Sequence, residues 1–120
     1  AYAGMEIQIL DDDGPAYKNL QPYQYHGSIY GVVPAKRGAL KKPGEWNTEE
    51  IKCEGSHITI TVNDKVIVDA DIADIEETAD HRNHPGLHNE KGYIGFLGHG
   101  HRIEWNTIRV KELPPNAEKK

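Results

Sequence analysis

The chain has a single cysteine, Cys53, among its 120 residues, so no intrachain disulfide can form and no zinc site built on paired thiolates is available. Cys53 follows Ile51 by two places in an alternating run, which predicts a buried, inert thiol rather than a nucleophile. Long apolar runs are missing too: none approaches the ~20 residues that a helix needs to cross a bilayer, and the first residues lack the basic start and apolar core of a signal peptide. Positive charge is in deficit, with 14 Lys and Arg against 19 Asp and Glu and a formal net charge of −5. No stripe of cations interleaves with aromatic residues, so nucleic acid is not an expected partner. Helical periodicity is almost absent, and no internal repeat is visible.

What is present suits a turn-rich β protein, with 12 Gly and 7 Pro in a chain that is 37% hydrophobic and 28% charged. Its length is that of one domain. Met5, Ile7 and Ile9 alternate with Glu6 and Gln8, which predicts a strand over residues 5–11 with one apolar face. Same-face neighbours on a strand sit about 6.6 Å apart, so Glu6 and Gln8 can both touch one small ligand. The same pattern also fits an ordinary solvent-facing strand. Residues 11–24 carry Asp-Gly-Pro and a second proline, and so read as a long loop. Its Tyr17 and Tyr23, with Tyr25 just after, suit either loop packing or stacking on a sugar ring.

A second strand is expected over residues 26–33, with Ser28, Tyr30 and Val32 on one side and Ile29 and Val33 on the other. Residues 34–44 carry Lys36, Arg37, Lys41 and Lys42 and read as a solvated basic loop. Residues 45–54 alternate again, and Trp46 in this run suits either core packing or stacking on a pyranose. Residues 57–62 give the clearest strand, with Ile58, Ile60 and Val62 inward and Thr59 and Thr61 outward. Asn63 and Asp64 tolerate positive φ and so close a tight hairpin into residues 65–69. Residues 71–80 suit one or two helical turns over the sheet edge. His81, His84 and His88 have the spacing of metal ligands on a helix, but Pro85 and Gly86 exclude that helix.

Further strands are expected over residues 92–97 and 102–112, the second with a bulge near Asn106 and Thr107 where its apolar phase changes. Between them His99 lies among glycines, where the backbone can approach a ligand closely, and imidazoles exchange protons near neutrality. About seven short strands with Gly and Pro turns point to an all-β sandwich or jelly roll. It is expected to span residues 1–113, with a frayed tail over residues 114–120.

Four segments, taken in order, resemble one family. They are Gly4-Met5-Glu6-Ile7-Gln8-Ile9-Leu10-Asp11; Gly27-Ser28-Ile29-Tyr30-Gly31; Pro43-Gly44-Glu45-Trp46-Asn47; and His84-Pro85-Gly86 leading to Gly92-Tyr93-Ile94-Gly95-Phe96 and His99-Gly100-His101. Together they resemble the 3-keto-disaccharide hydrolase domain family, formerly a domain of unknown function. The chain departs from the family pattern at Asp64, where the family has Gly, at Leu97, where it has Gln, and at Trp105-Asn106-Thr107, where it has Phe-Arg-Asn.

The resemblance implies an antiparallel, concanavalin A-like jelly roll of the lectin and glucanase type. In the family several strands precede the segment that opens this chain. The sandwich would then be incomplete here, its missing strands supplied by a second chain or by a cleaved N-terminal part. It also implies a bacterial, secreted protein, periplasmic or extracellular, that acts on carbohydrate. The implied reaction uses a sugar already oxidised at C3: a base removes the acidified C2 proton, the C1 substituent leaves, and water adds later.

By that resemblance Glu6 or His99 is the catalytic base, and Gln8, Asp11, Tyr30, Trp46 and His101 contact the sugar. Alternatively, Glu6, Asp11 and His99 hold a divalent metal. Two other roles fit the same resemblance: a non-catalytic glycan-binding module, and a structural subunit that completes another chain's sandwich.

Overall fold

The structure, a computed structural model, describes residues 3–114 of the chain. Its regular part is one antiparallel sheet of three strands in the order β1-β2-β3: β1 over Glu49–Glu54, β2 over His57–Val62 and β3 over Lys65–Asp71. The all-β, antiparallel class expected from the sequence is therefore what the chain adopts. Ile58, Ile60 and Val62 alternate along β2, and all three are buried on one face while Thr59 and Thr61 lie half-exposed on the other. β3 buries two consecutive residues, Ile67 and Val68, which a regular strand would send to opposite faces. Pairing of Ile60 with Val68 but of Thr61 with Val66 leaves Ile67 as an extra residue, and this bulge lets both side chains reach the core.

The β2–β3 hairpin turns on Asn63 (φ 48°) and Asp64 (φ 67°), both in the left-handed region that a tight two-residue hairpin requires. Asn63 does more than turn the chain. Its Oδ1 accepts the Thr48 N–H at 3.0 Å, and its Nδ2 donates to the Ala39 carbonyl and to Asn47 Oδ1, each at 2.8 Å. The hairpin tip thereby holds the loop that leads into β1.

Loops cover the apolar face of the sheet. Ile29, Val32, Ile72 and Leu87 join Ile58, Ile60, Val62, Ile67 and Val68 in one core, with Ile7 packed against its margin. The strands expected over residues 5–11 and 26–33 shorten to a few pairs around Ile7 and Ile29, which form an isolated antiparallel bridge. Gly27 (φ 80°) and Gly31 (φ 75°) explain the shortening, since each turns the backbone out of the extended region beside Ile29. Short 3-10 turns occupy Pro15–Tyr17, Pro22–Gln24 and Ile72–Asp74. The helical excursion expected over residues 71–80 is confined to the last of these, where the Asp71 carboxylate accepts the Ala73 N–H at 3.0 Å.

Other expectations are corrected. Cys53 is exposed on β1 rather than buried, though partial desolvation still raises its thiol pKa and keeps it protonated. Trp46 is 56% exposed, which removes the core-packing reading. Tyr25, in contrast, is a packing residue: it is buried, with the Arg37 guanidinium 3.9 Å above its ring. Residues 92–97 and 102–112 form no strand, and their apolar side chains, Tyr93, Ile94, Phe96, Leu97, Ile108 and Val110 among them, stand exposed. A period of two makes a strand only where neighbouring backbone accepts its hydrogen bonds, and no ladder forms there among the described residues.

The two halves of that segment meet through Phe96 and Trp105, whose ring centroids are 4.2 Å apart. At the expected bulge, Thr107 has φ 45°, so the chain does bend there without a ladder to interrupt. Among the described residues no helix is long and apolar enough to cross a membrane. The expected tail, residues 114–120, lies outside the described residues except for Pro114.

Candidate functional site

The bridge between Ile7 and Ile29 sets the geometry of the face that the sequence singles out. Gln8 N–H donates to the Ser28 carbonyl at 3.0 Å, and Tyr30 N–H donates to the Glu6 carbonyl at 2.9 Å. In this pattern residues directly opposite share a face, so Ile7 and Ile29 meet towards the core while Glu6 lies opposite Tyr30 on the outer side. All three polar residues, Glu6, Gln8 and Tyr30, are half-buried. Tyr23 packs edge-on against Tyr30, with ring centroids 6.0 Å apart and an interplanar angle of 86°.

Gln24, at the end of the Pro22–Gln24 turn, ties these residues together. Its Oε1 accepts the Gln21 N–H at 2.7 Å, its Nε2 donates to Tyr30 Oη at 3.1 Å, and its carbonyl accepts Gln8 Nε2 at 3.1 Å. The resulting face presents a carboxylate, an amide and a phenol beside an aromatic edge, a combination suited to sugar hydroxyl and carbonyl groups.

Two further polar clusters lie beside the segments that carry this face. Asp12 is buried, and its Oδ1 accepts the His26 N–H at 2.7 Å. His26 Nδ1 accepts the Leu10 N–H at 3.1 Å, so its ring proton sits on Nε2, which donates to Glu49 Oε1 at 2.6 Å. The second cluster lies under the turn that carries Tyr30. Asp80 and His84 pair there at 2.8 Å, with side chains only 3% and 2% exposed. Next to them is a groove of about 380 Å³, lined by His81, Arg82, Asn83 and His88 among others.

Of the residues that the sequence nominates, the structure brings together Glu6, Gln8 and Tyr30. Asp11 lies in an exposed turn, where its Oδ1 accepts the Asp13 N–H at 3.2 Å and its carbonyl accepts the Gly14 N–H. Trp46 stands exposed in the loop before β1. His99 and His101 are exposed as well, and among the described residues neither forms a hydrogen bond or ion pair with Glu6 or Asp11. Among the described residues no group of three His, Cys, Asp or Glu side chains could hold a metal, so the set of Glu6, Asp11 and His99 is not assembled as a cation site. His81, His84 and His88 do not form one either.

Sequence reasoning missed Gln24, Asp12 and the Asp80–His84 pair. Gln24 had a legible signal: Gln21-Pro22-Tyr23-Gln24 has the spacing of a capping turn in which the last side chain returns to the first N–H. Asp80 had none, because its partner's burial comes from packing against a distant turn.

The family described as the 3-keto-alpha-glucoside-1,2-lyase-like domain matches residues 1–111. A curated relative, a 3-keto-disaccharide hydrolase of Bacteroides thetaiotaomicron, is 25% identical over an alignment covering 90% of this chain and 43% of its own length. A crystal structure from Parabacteroides distasonis, of a protein described as a glycosyl hydrolase, is 36% identical with a TM-score of 0.61, over 70% of this chain and 45% of that one. The likeness accords with an all-β, concanavalin-like fold. The chain spans a little under half the length of each of these two proteins.

Proposed function

The chain belongs to the 3-keto-alpha-glucoside-1,2-lyase-like domain family, and from that premise we propose that it acts on 3-keto-glycosides with Glu6 as the base. The C3 ketone acidifies the proton on C2, and a carboxylate beside it can accept that proton. The freed electron pair forms an enolate whose charge gathers on the C3 oxygen. Collapse of the enolate then breaks the C1–O bond, and the departing oxygen takes a proton from solvent, to which Glu6 in turn returns the one it accepted. The sugar has now lost the C1 substituent and the C2 proton across one bond. Water adds across that bond in a later step, which makes the sum a hydrolysis.

The observation that carries this reading is the pairing of Glu6 with Tyr30. Opposite positions on the Ile7–Ile29 bridge hold a carboxylate and a phenol on one face, with Gln8 one same-face step from Glu6. Directly opposite residues hold their Cβ atoms about 5 Å apart, a spacing that suits a base at the proton of one carbon and a hydrogen-bond donor at the oxygen of the next. Glu6 is chosen over His99 because it is held on this face by backbone pairing. In this scheme the Tyr30 phenol is the hydrogen-bond donor to the ketone oxygen.

The test is turnover of a 3-keto-glycoside by the protein as it is produced, with and without Glu6→Gln. Loss of a general base costs on the order of 10²- to 10⁴-fold in kcat, with the circular dichroism spectrum unchanged. Unchanged turnover would refute the assignment. Binding of the sugar by the wild type without any turnover would favour a non-catalytic glycan-binding module.

A further inference from the structure

We infer that Gln24 is a positioning residue that sets the hydrogen-bond polarity of this face, making Tyr30 a donor and Gln8 an acceptor, so that it fits a ketone oxygen beside a hydroxyl group. The inference rests on the reading of the face as a 3-keto-sugar site and adds a residue to it.

The polarity follows from a chain of donors and acceptors with no freedom left in it. A backbone N–H can only donate, so the Gln24 side-chain atom 2.7 Å from Gln21 N must be the oxygen. The amide nitrogen therefore faces the other way, 3.1 Å from Tyr30 Oη. An amide NH₂ offers donors only, so the phenol oxygen accepts from it. The phenol's own proton is then left to point elsewhere, and among the described residues no acceptor takes it. It is available to whatever lies on the face.

The Gln24 backbone fixes Gln8 in the same manner. A carbonyl can only accept, so the Gln8 atom 3.1 Å from it is the nitrogen, and Gln8 Oε1 faces away from Gln24. The face thus offers one phenolic donor and one amide acceptor next to Glu6. A ketone has lone pairs and no proton, which matches the donor. A neighbouring sugar hydroxyl has a proton to give, which matches the acceptor. An unoxidised sugar placed with its C3 hydroxyl at Tyr30 would have to find another home for that hydroxyl's proton. Charge growing on the C3 oxygen after C2 deprotonation would strengthen the bond from Tyr30, so the contribution falls on kcat more than on KM.

Gln24→Glu separates this from a structural role. The new carboxylate still accepts the Gln21 N–H, but its second oxygen is an acceptor where Nε2 was a donor. Tyr30 would turn its proton inward and the face would lose its donor. The expected result is a kcat lower by about 10- to 1000-fold, the span from one charged hydrogen bond to one oxyanion donor, with a smaller rise in KM and a melting temperature near that of the wild type. Tyr30→Phe should give a similar loss, and the double variant should be no worse than Tyr30→Phe alone.

Calorimetric binding of a 3-keto-glycoside and of its unoxidised parent supplies a readout independent of turnover. The wild type should prefer the ketone, and both variants should lose that preference. Unchanged preference and kcat in Gln24→Glu, or losses that multiply in the double variant, overturn the inference while leaving the Glu6 test intact. Absence of binding to either sugar overturns the inference together with the functional reading beneath it.

Discussion

His84 Nε2 lies 2.8 Å from Asp80 Oδ1, and the same carboxylate oxygen takes the Arg82 N–H at 3.0 Å and the Thr78 hydroxyl at 3.1 Å. Burial pushes the Asp80 carboxyl up, but the hydrogen bonds from His84, Arg82 and Thr78 together outweigh it and hold the pKa at about 2, against an ordinary 3.8. A depressed folded pKa stabilises the fold fully above the unfolded value and is lost as pH falls towards the folded one. Asp80 should therefore contribute on the order of 2 kcal/mol above about pH 4 and lose it between pH 4 and pH 2. Urea denaturation of wild type and Asp80→Asn across that window measures this. Hydrogen bonds from Lys52 and Ser56 also hold the Glu54 and Asp71 carboxyls below their ordinary values, so the difference between the two proteins is the readout. A parallel pair of curves would remove Asp80 from the account.

Gly31 is where this pair meets the candidate site. A Cβ at Gly31 would stand 2.4 Å from Asp80 Oδ2 and 2.9 Å from His84 Cε1, at φ 75°. Gly31→Ala should cost about 2–4 kcal/mol, since backbone strain adds to a clash with buried groups that cannot yield. Because Tyr30 precedes Gly31, sugar binding should weaken with it. Gly38→Ala is the control: its φ is 95° but its Cβ would meet nothing within 4 Å, so only the backbone cost of roughly 1 kcal/mol remains. Equal losses in the two variants would show that the packing of Asp80 on Gly31 contributes nothing.

These contacts show what was legible in the sequence. β2, its inward Ile58, Ile60 and Val62, and the turn at Asn63 and Asp64 were all readable, because alternation and left-handed turn residues are local properties. Glu6 and Tyr30 were readable as polar positions on two separate strands. Their meeting depended on a register that no local pattern gives. Residues 92–97 and 102–112 also carry strand-like apolar patterns but form no ladder, since a strand depends on what lies beside it. Cys53 is exposed for a related reason: β1 is an edge strand, and its alternation reports no buried face.

Asp12 makes a prediction of opposite sign to Asp80. Burial raises its carboxyl pKa, and the hydrogen bond from the His26 N–H with the charge of Arg37 offsets this only in part. A raised folded pKa means that ionisation opposes folding, so this group favours the fold most at low pH and less as pH rises through the carboxylate range. Asp12→Asn keeps an oxygen for the His26 N–H and removes the charge. At pH 7 it should be neutral or slightly stabilising, whereas Asp12→Ala should cost about 1–3 kcal/mol by orphaning a buried donor. Guanidinium midpoints at pH 7 decide the matter. Two equal losses would show that the charge, and not the acceptor, holds the His26 loop.

The two residues of the β2–β3 turn share a conformation but not a role. Asp64 has φ 67° and is exposed, and no side-chain hydrogen bond of its own ties it down among the described residues. Replacing it with glycine relieves a left-handed backbone without losing a contact, so Asp64→Gly should stabilise by up to ~1 kcal/mol. Asn63, at φ 48°, carries the bonds to Thr48, Ala39 and Asn47 that hold the loop before β1. There glycine would gain the same backbone relief and lose those bonds. Asn63→Gly should therefore destabilise by about 1–3 kcal/mol in total. Thermal melts of both variants give the comparison, and amide exchange at Thr48 gives the mechanism, since its N–H loses its acceptor only in Asn63→Gly. Stabilisation by both variants would mean that the turn is held by backbone geometry alone, and that the loop reaches β1 without help from Asn63.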